Sequence, residues 1–274
     1  MKPAHISLYI LTFLLSSCME NFIRPGAEAQ PNLIPTQAFA TSTIEQGSGN
    51  LALQDPEERI LIMEPGPGSL LRSPISVSGF ADSTFEQHLL ARLLLDDGTE
   101  ISSISTTIQS AMGLRGPFKF ELSFEIIGER QAFLQVISTS PRDGGIEHLS
   151  TVGIRLTNAG EPLIQPKERQ SEQIIIFEPI IGAQIKGGSA HIEGFALASF
   201  EQTLVAEVLD QEGNIIGSRP LMVDSPDWGI PGPFSVEVTY SLESGGAGRI
   251  VVRDPSQAFN GDIHLASVEV NLSP

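Results

Sequence analysis

Apolar and polar residues alternate with a period of two along much of the chain. In the clearest case Phe118, Phe120, Leu122 and Phe124 alternate with Lys, Glu and Ser. Since successive side chains of a strand point to opposite faces, this spacing predicts a strand with one buried face. The runs ILIME and IIIFE, each followed by proline, predict further short strands. We therefore expect an all-β fold.

Four blocks of the first half of the chain return in the same order in the second half. The paired blocks are ILIMEPGPG (60–68) with IIIFEPIIG (174–182), GFADSTFEQHLLARLLLDDG (79–98) with GFALASFEQTLVAEVLDQEG (194–213), GPFKFELSF (116–124) with GPFSVEVTY (232–240), and HLSTVGIRL (148–156) with HLASVEVNL (264–272). One domain is therefore used twice. Short strands separated by turns about every 8–12 residues predict an antiparallel β-sandwich for each copy.

The block that begins FEQHLLARLLL fits two different periods. Phe85, Leu89 and Leu93 recur at helical spacing, whereas a period of two puts Phe85, Gln87 and Leu89 on one face. The second copy, FEQTLVAEVL, contains β-branched residues, which favour a strand. We predict a strand whose inner face includes Phe85 and Gln87.

The order of these motifs resembles the immunoglobulin-like domain of bacterial spore germination proteins. The resemblance rests on a strand ending in Glu-Pro, a GFA…FE block, a D…G turn, a GPF strand and a closing strand, over residues 60–156 and 174–272. It implies two tandem immunoglobulin-like sandwiches on an exported, membrane-anchored bacterial protein, with no catalytic residues to transfer. Two such domains without a companion module depart from the usual arrangement of that family.

The N-terminus has the features of a bacterial export signal. Lys2 precedes an apolar run of roughly ten residues, which is too short to cross a bilayer since that needs about 20. LSSC ends at Cys18, the only cysteine of the chain, and resembles a lipobox. This resemblance implies a signal peptide at 1–17 and lipid attachment at Cys18. We expect anchoring to the outer face of the cytoplasmic membrane, or to the outer membrane if the cell has one.

Composition divides the remaining chain into tether, domains and linker. Residues 18–58 are rich in Gln, Pro, Ser, Thr and Gly and show no sustained period, so we predict a disordered tether. The predicted immunoglobulin-like domains are 59–157 and 173–274. The polar, proline-containing residues 158–172 are predicted to link them.

The charge of the chain limits its partners. Asp and Glu number 33 against 16 Lys and Arg, which gives a net charge of −17. Nucleic acids and anionic headgroups bind clustered basic residues, so we expect no nucleic-acid partner and membrane contact only through the lipid. The sequence also lacks a Gly-x-Ser-x-Gly elbow and a phosphate-binding Gly-rich loop. We expect no enzyme activity and no cofactor.

The histidines and acidic loops do not follow a metal-binding pattern. His148 and His264 occupy equivalent positions, but the one other histidine of each domain, His88 or His191, has no equivalent. We therefore expect polar or half-buried strand residues and no metal site, since a site needs several ligands close together. In acidic loops such as DQEGN (210–214), turn chemistry explains the residues without calcium.

The loop DSPDWGIPGPF is the best candidate for contact with a partner. It contains Trp228, the only tryptophan, with Asp224 and Asp227 beside it. An exposed Trp228 would anchor an envelope protein or a glycan. A Trp228 folded back would cap the core of the second domain, and this is the outcome we expect.

The predicted function is a non-catalytic lipoprotein of the cell envelope that acts as a binding or scaffold module through its tandem immunoglobulin-like domains, in germination or in another envelope process. The alternative is a solute- or glycan-binding lipoprotein with a site between the domains or at their loops.

Overall fold

The computed structural model describes residues 56–168 and 170–274. Strands make up nearly all regular structure in this part of the chain, which confirms the all-β prediction. No helix within it is long and apolar enough to cross a membrane. The predicted signal peptide (1–17), the lipid attachment site Cys18 and most of the tether (18–58) lie outside the described residues.

Each half of the repeat forms the same series of strands. Those of the first domain are β1 (Ile60–Glu64), β2 (Leu70–Leu71), β3 (Ile75–Ala81), β4 (His88–Leu95), β5 (Glu100–Thr107), β6 (Gly116–Leu122), β7 (Glu129–Thr139) and β8 (Ile146–Thr157). Those of the second domain are β9 (Ile174–Glu178), β10 (Gln184–Ile185), β11 (Ser189–Ala196), β12 (Thr203–Leu209), β13 (Ile215–Met222), β14 (Gly232–Thr239), β15 (Gly246–Pro255) and β16 (Asp262–Leu272).

Each domain packs a three-stranded sheet against a larger one. In the first domain β1–β3–β6 faces β5–β4–β7–β8, and in the second β9–β11–β14 faces β13–β12–β15–β16. The inward positions are apolar, as predicted for Phe118, Phe120 and Leu122 of β6, and they form one core in each domain. This confirms two tandem immunoglobulin-like antiparallel β-sandwiches.

The larger sheets of the two domains are joined edge to edge into a single sheet. β8 and β16 are antiparallel and meet through three residue pairs, which are Leu149–Leu265, His148–Ala266 and Ser150–His264. Leu149 and Leu265 occupy the same position of the repeat, so a local two-fold axis relates the domains and passes between these leucines. Each domain thereby covers the open sheet edge of the other. Both domains belong to one compact unit.

On the outer face of the joined sheet, each domain places a hairpin turn on the other. The β15–β16 turn stacks Phe259 on Phe133, with ring centroids 3.9 Å apart. The β7–β8 turn brings Asp143 to Arg249, whose Nη2 donates to Asp143 Oδ1 at 2.7 Å. Phe133 and Arg249 are equivalent in the repeat, as are Asp143 and Phe259. The two-fold arrangement therefore has one aromatic and one ionic contact.

The repeated FEQ block is a turn that precedes a strand. Phe85–Gln87 forms a 3-10 turn in which Glu86 and Gln87 have positive φ angles of 52° and 56°, and strand β4 begins at His88. Phe85 is 56% exposed, so the prediction that placed it on the inner face is wrong. Gln87 is buried as predicted, and its side-chain amide donates to groups in the loop before β6. The block is part of the frame of each domain.

Candidate functional site

The predicted contact loop lies on the surface of the second domain. Trp228 is 71% exposed, and its backbone N–H donates to the Asp227 carboxylate at 2.7 Å. The expectation that Trp228 caps the core is therefore wrong. The cavity beside it measures about 30 Å³, room for no more than about two water molecules. Trp228 thus offers a partner an exposed ring and not a pocket.

Asp224, the third predicted residue, lies beside a different cavity. Together with Phe177, Met222 and Phe234 it lines an open cavity of about 460 Å³, which Trp228 does not reach. The structure therefore does not gather the three predicted residues into one site.

Part of the predicted inter-domain linker is bound to the first domain, and we call its residues 163–167 the strap. Leu163 and Leu70 exchange backbone hydrogen bonds of 2.8 and 2.9 Å. Further along the strap, the Lys167 N–H donates to Met63 O at 3.0 Å. The strap therefore runs along the segment that leads from β1 to β2 and covers it.

The second domain presents the equivalent surface without a strap among the described residues. Phe177, Ile180 and Ile181 lie there and are 56%, 70% and 80% exposed. They belong to an open groove of about 450 Å³, which we call the second-domain groove. Its lining consists of Ile176, Phe177, Pro179, Ile180, Ile181 and Val268, with Arg59, Glu147, Ser267 and Glu269 also on its walls. The sequence indicates this groove, because EPGPG of the first copy is replaced by EPIIG in the second. This replacement places two isoleucines in a turn.

A cluster of polar side chains is buried on the inner face of the seam between β8 and β16. Its members, which we call the seam cluster, are at most 9% exposed and are Glu58, His148, Ser150, Lys167, Glu172 and His264. The rings of His148 and His264 lie 4.8 Å apart in an edge-on arrangement. The sequence predicts polar or half-buried strand residues at His148 and His264, with no second ligand close by, whereas both are 1% exposed. That expectation is wrong because the strands that carry them pair across the domain boundary.

Glu172 connects the two histidines. His264 Nε2 lies 2.5 Å from Glu172 Oε1, and His148 Nε2 lies 3.6 Å from Oε2. The backbone N–H of Arg59 also donates to Oε2, at 2.7 Å. Within the described chain, neither ring nitrogen of His148 has a hydrogen-bond partner, and nor has His264 Nδ1. A buried polar atom left without a partner costs about 1–3 kcal/mol of folding stability, so His148 without a partner destabilises the folded protein.

Glu58 forms the other half of the seam cluster. It occupies the position of Glu172 in the repeat, two residues before the first strand of its domain. Lys167 Nζ lies 3.1 Å from Glu58 Oε2, and Ser150 Oγ donates to Oε1 at 2.5 Å. One of two equivalent carboxylates thus has a lysine as partner, while the other faces histidines. Since Glu58 is fully buried, the ordered unit begins before the predicted end of the tether.

The electrostatics of the seam cluster set the ionisation of its groups. Burial lowers the pKa of His148 to about 3, although Glu172 acts in the opposite direction, so this imidazole is neutral at pH 7. Burial would raise the pKa of Glu172, but the two histidines and the N–H of Arg59 hold it at about 2. The result is a buried carboxylate beside imidazole nitrogens with free lone pairs. His148, Glu172 and His264 each offer one donor atom that a metal ion could bind.

Two regularities of the sequence point to this cluster. A glutamate precedes the first strand of both domains, and a histidine occupies the same place in both closing strands. The pairing of β8 with β16 brings these four side chains together. The cluster therefore cannot be predicted from the sequence of either domain alone.

Comparison with known proteins identifies the family of both domains. The family described as the immunoglobulin-like domain of bacterial spore germination matches residues 59–145 and 173–258. The chain belongs to this family. The match to the spore germination immunoglobulin-like domain covers most of each sandwich and includes Trp228, but it excludes every residue of the seam cluster. The residues that pair β8 with β16 between the two domains therefore lie outside the residues that the family match covers.

Other comparisons add little about function. No curated protein matches the chain. Among solved structures, that of red sea bream transglutaminase matches 79% of this chain with 10% identity and a TM-score of 0.29. The chain spans 31% of the length of that structure. A likeness this weak carries no argument about activity.

Proposed function

We propose that the protein is a non-catalytic binding module of the bacterial cell envelope. In this proposal lipid at Cys18 anchors the chain, the following segment acts as a tether, and the second-domain groove binds an extended segment of a protein partner. The strap is the main support for the proposal. It is an extended segment that already binds the equivalent surface of the first domain.

The strap indicates the kind of hydrogen bonds that a partner segment would form. Its backbone hydrogen bonds to Leu70 and Met63 are the interactions by which an extended peptide adds to the edge of a sheet. The second-domain groove has Ile180 and Ile181 where the first domain has Gly66 and Pro67. A Cβ at Gly66 would lie 2.5 Å from Gln165 O, so a segment bound over the equivalent Ile180 must lie further from the turn than the strap does. A partner segment with apolar side chains would bury these isoleucines, which favours binding through the hydrophobic effect. We therefore expect a segment richer in apolar residues than the strap itself.

The joined sheet supports a role as a spacer as well as a binder. Both domains share one sheet, so the groove has a fixed position relative to the point where the tether enters. Arg59, just after the buried Glu58, lies on the wall of the groove. A partner bound there would lie close to Glu58, the last residue of the predicted tether.

A solute- or glycan-binding lipoprotein is the second candidate, and the exposure of Trp228 favours it. A glycan would bind against the exposed indole ring and the neighbouring Asp227. The second-domain groove is less suited to sugars, because its lining is mainly aliphatic and Phe177 is its aromatic residue. The two candidates therefore use different surfaces, which allows them to be separated by mutation.

The first experiment measures peptide binding by isothermal titration calorimetry. The probe is a synthetic peptide based on residues 161–168, EPLIQPKE, in which leucine replaces Gln165 and Lys167 to make it more apolar, and it is added to the purified full-length protein. We expect saturable binding at one site, lost in Ile181→Asp and retained in Ile127→Asp. Ile127 is a matched control because it is 93% exposed and belongs to the first domain. Absence of binding at about 1 mM peptide, or equal loss in both variants, would contradict the groove as the binding site.

Two further measurements separate the alternatives and test the anchor. Loss of binding to purified envelope glycans in Trp228→Ala, with Ile181→Asp unaffected, would support the second candidate. Labelling with radioactive palmitate tests the lipid. We expect wild type to take up label and Cys18→Ala to take up none, and an unlabelled wild type would contradict the anchored location.

A further inference from the structure

We propose that the seam cluster is a site for a divalent metal ion of the zinc type, which fastens the two domains to each other. The ligands are His148 on β8, His264 on β16 and Glu172 just before β9. The ion would therefore bind side chains from both domains. This inference is independent of the second-domain groove and of its partner.

The donor atoms are already close to each other. One nitrogen of His148, one of His264 and one oxygen of Glu172 all lie within 4.8 Å of one another. In a tetrahedral zinc site with bonds of about 2.0–2.1 Å, neighbouring donors are about 3.4 Å apart, so only small side-chain shifts are needed.

The unpaired nitrogens of His148 point to a ligand. This side chain is 1% exposed, yet both of its nitrogens lack a hydrogen-bond partner in the described chain. A neutral imidazole binds a metal through its lone-pair nitrogen, and imidazole with carboxylate is the donor set that zinc and related ions take. Metal binding would give the lone pair of His148 the partner it lacks.

The repeat supplies a third argument, from charge. Glu58 and Glu172 are equivalent buried carboxylates, and a buried carboxylate needs a positive partner. Lys167 is that partner for Glu58. In the described chain the side-chain ion-pair partners of Glu172 are the rings of His148 at 3.6 Å and His264 at 2.5 Å, and no lysine or arginine side chain forms an ion pair with it. A cation bound to Glu172 would take the place that Lys167 has beside Glu58.

A second group of possible ligands on the surface lacks these features and provides a control. Glu178, His191 and Glu193 are all exposed. Both ring nitrogens of His191 are already bonded, one to Glu193 at 2.8 Å and one to Glu237 at 2.9 Å. His191 therefore has no nitrogen in need of a partner.

Zinc binding to the full-length protein tests the proposal. The protein is stripped with a chelator and then refolded with Zn²⁺, because a buried site fills slowly in the folded state, and bound metal is counted by mass spectrometry. We expect one zinc ion per chain and a higher thermal midpoint, with no such effect of Mg²⁺, which prefers oxygen ligands. His148→Leu and His264→Leu should weaken binding by more than the roughly 10–100-fold that loss of an outer partner costs. His191→Leu should bind as wild type does.

An X-ray absorption spectrum of the zinc-loaded wild type keeps the proposal testable if these variants fail to fold. We expect two imidazoles and a carboxylate at about 2.0–2.1 Å. Absence of bound zinc after refolding, loss of zinc in His191→Leu alone, or a spectrum without two imidazoles would each overturn the proposal.

Discussion

The ring of Phe133 in the first domain stacks on the ring of Phe259 in the second, with centroids 3.9 Å apart and planes 17° apart. The equivalent contact on the other side of the local two-fold axis is the ion pair of Arg249 and Asp143. If two copies of the first domain joined through the same surfaces, Phe133 of one copy would face Asp143 of the other. If two copies of the second domain did so, Arg249 would face Phe259. Only the pairing of unlike domains satisfies both contacts, so the sequence specifies this tandem and disfavours pairing between like domains.

The ion pair at this boundary should contribute to stability. The Arg249 side chain is fully buried and that of Asp143 is 3% exposed, so Asp143→Asn leaves the guanidinium with Glu269 as its remaining carboxylate partner. We expect a loss of about 2–4 kcal/mol in the free energy of unfolding, measured by chemical denaturation at pH 7. The control is Glu129→Gln, which breaks the exposed pair with Arg155 and should cost less than about 1 kcal/mol. Equal effects of the two variants would contradict the role given to the boundary.

Metal-free protein should lose stability as the pH falls below about 6.5. The pKa of His148 is about 3 in the folded chain against 6.5 ordinarily, so between these values only the unfolded chain binds this proton. For this group the free energy of unfolding decreases with falling pH by up to about 1.4 kcal/mol per unit. Glu172, with its pKa held at about 2, acts in the same direction only below about 4.5. Denaturation curves recorded in the presence of chelator measure the effect.

Two histidine variants identify which side chain causes this pH dependence. His148→Leu should flatten the curve between pH 6.5 and 4.5. It should reduce but not abolish the fall below 4.5, because Glu172 loses His148 but keeps His264 and the N–H of Arg59. His191→Leu is the control, because hydrogen bonds to Glu193 and Glu237 raise the pKa of this exposed histidine. Its contribution is present below its unfolded pKa and is lost as pH rises, which is the opposite sign. A wild-type curve that is flat from pH 6.5 to 4.5 would contradict a buried neutral His148.

The two copies of the FEQ turn should differ in their contribution to stability. The side-chain amide of Gln87 donates to Ser110 Oγ at 2.8 Å and to two loop carbonyls at 3.0 and 3.1 Å. The amide of Gln202 has a single, longer bond of 3.3 Å to Ser225 O. Gln87→Leu should therefore cost about 1–3 kcal/mol and Gln202→Leu less, because fewer groups lose their partner. Thermal unfolding of both variants checks the order.

Trp228 should be dispensable for folding. Because the side chain is 71% exposed, Trp228→Ala should change the free energy of unfolding by no more than about 0.5 kcal/mol. The fluorescence of this single tryptophan should also be quenched by acrylamide nearly as efficiently as that of free tryptophan. Protection from the quencher in the protein alone would show that the ring is covered.

Local patterns were sufficient to predict the sandwiches, and the contacts between them were not. The alternation in β6 and the repeated blocks identified strands and domains, because burial on one face of a strand leaves a signal in consecutive residues. Phe85 was misplaced because a turn with positive φ angles can precede a strand without any break in the alternation. Trp228 was misplaced because a Pro- and Gly-rich loop carries no periodic signal of burial. His148 and His264 meet only through pairing of strands 116 positions apart, which no local pattern encodes.

The joined sheet makes the two domains one cooperative unit, connected through β8 and β16. Differential scanning calorimetry of the full-length protein at pH 7 tests it most directly. We expect a single transition whose calorimetric enthalpy equals its van't Hoff enthalpy, since neither sandwich would remain folded with its seam exposed. Two separate transitions, each with the enthalpy of one domain, would contradict the joined sheet and the seam cluster built on it.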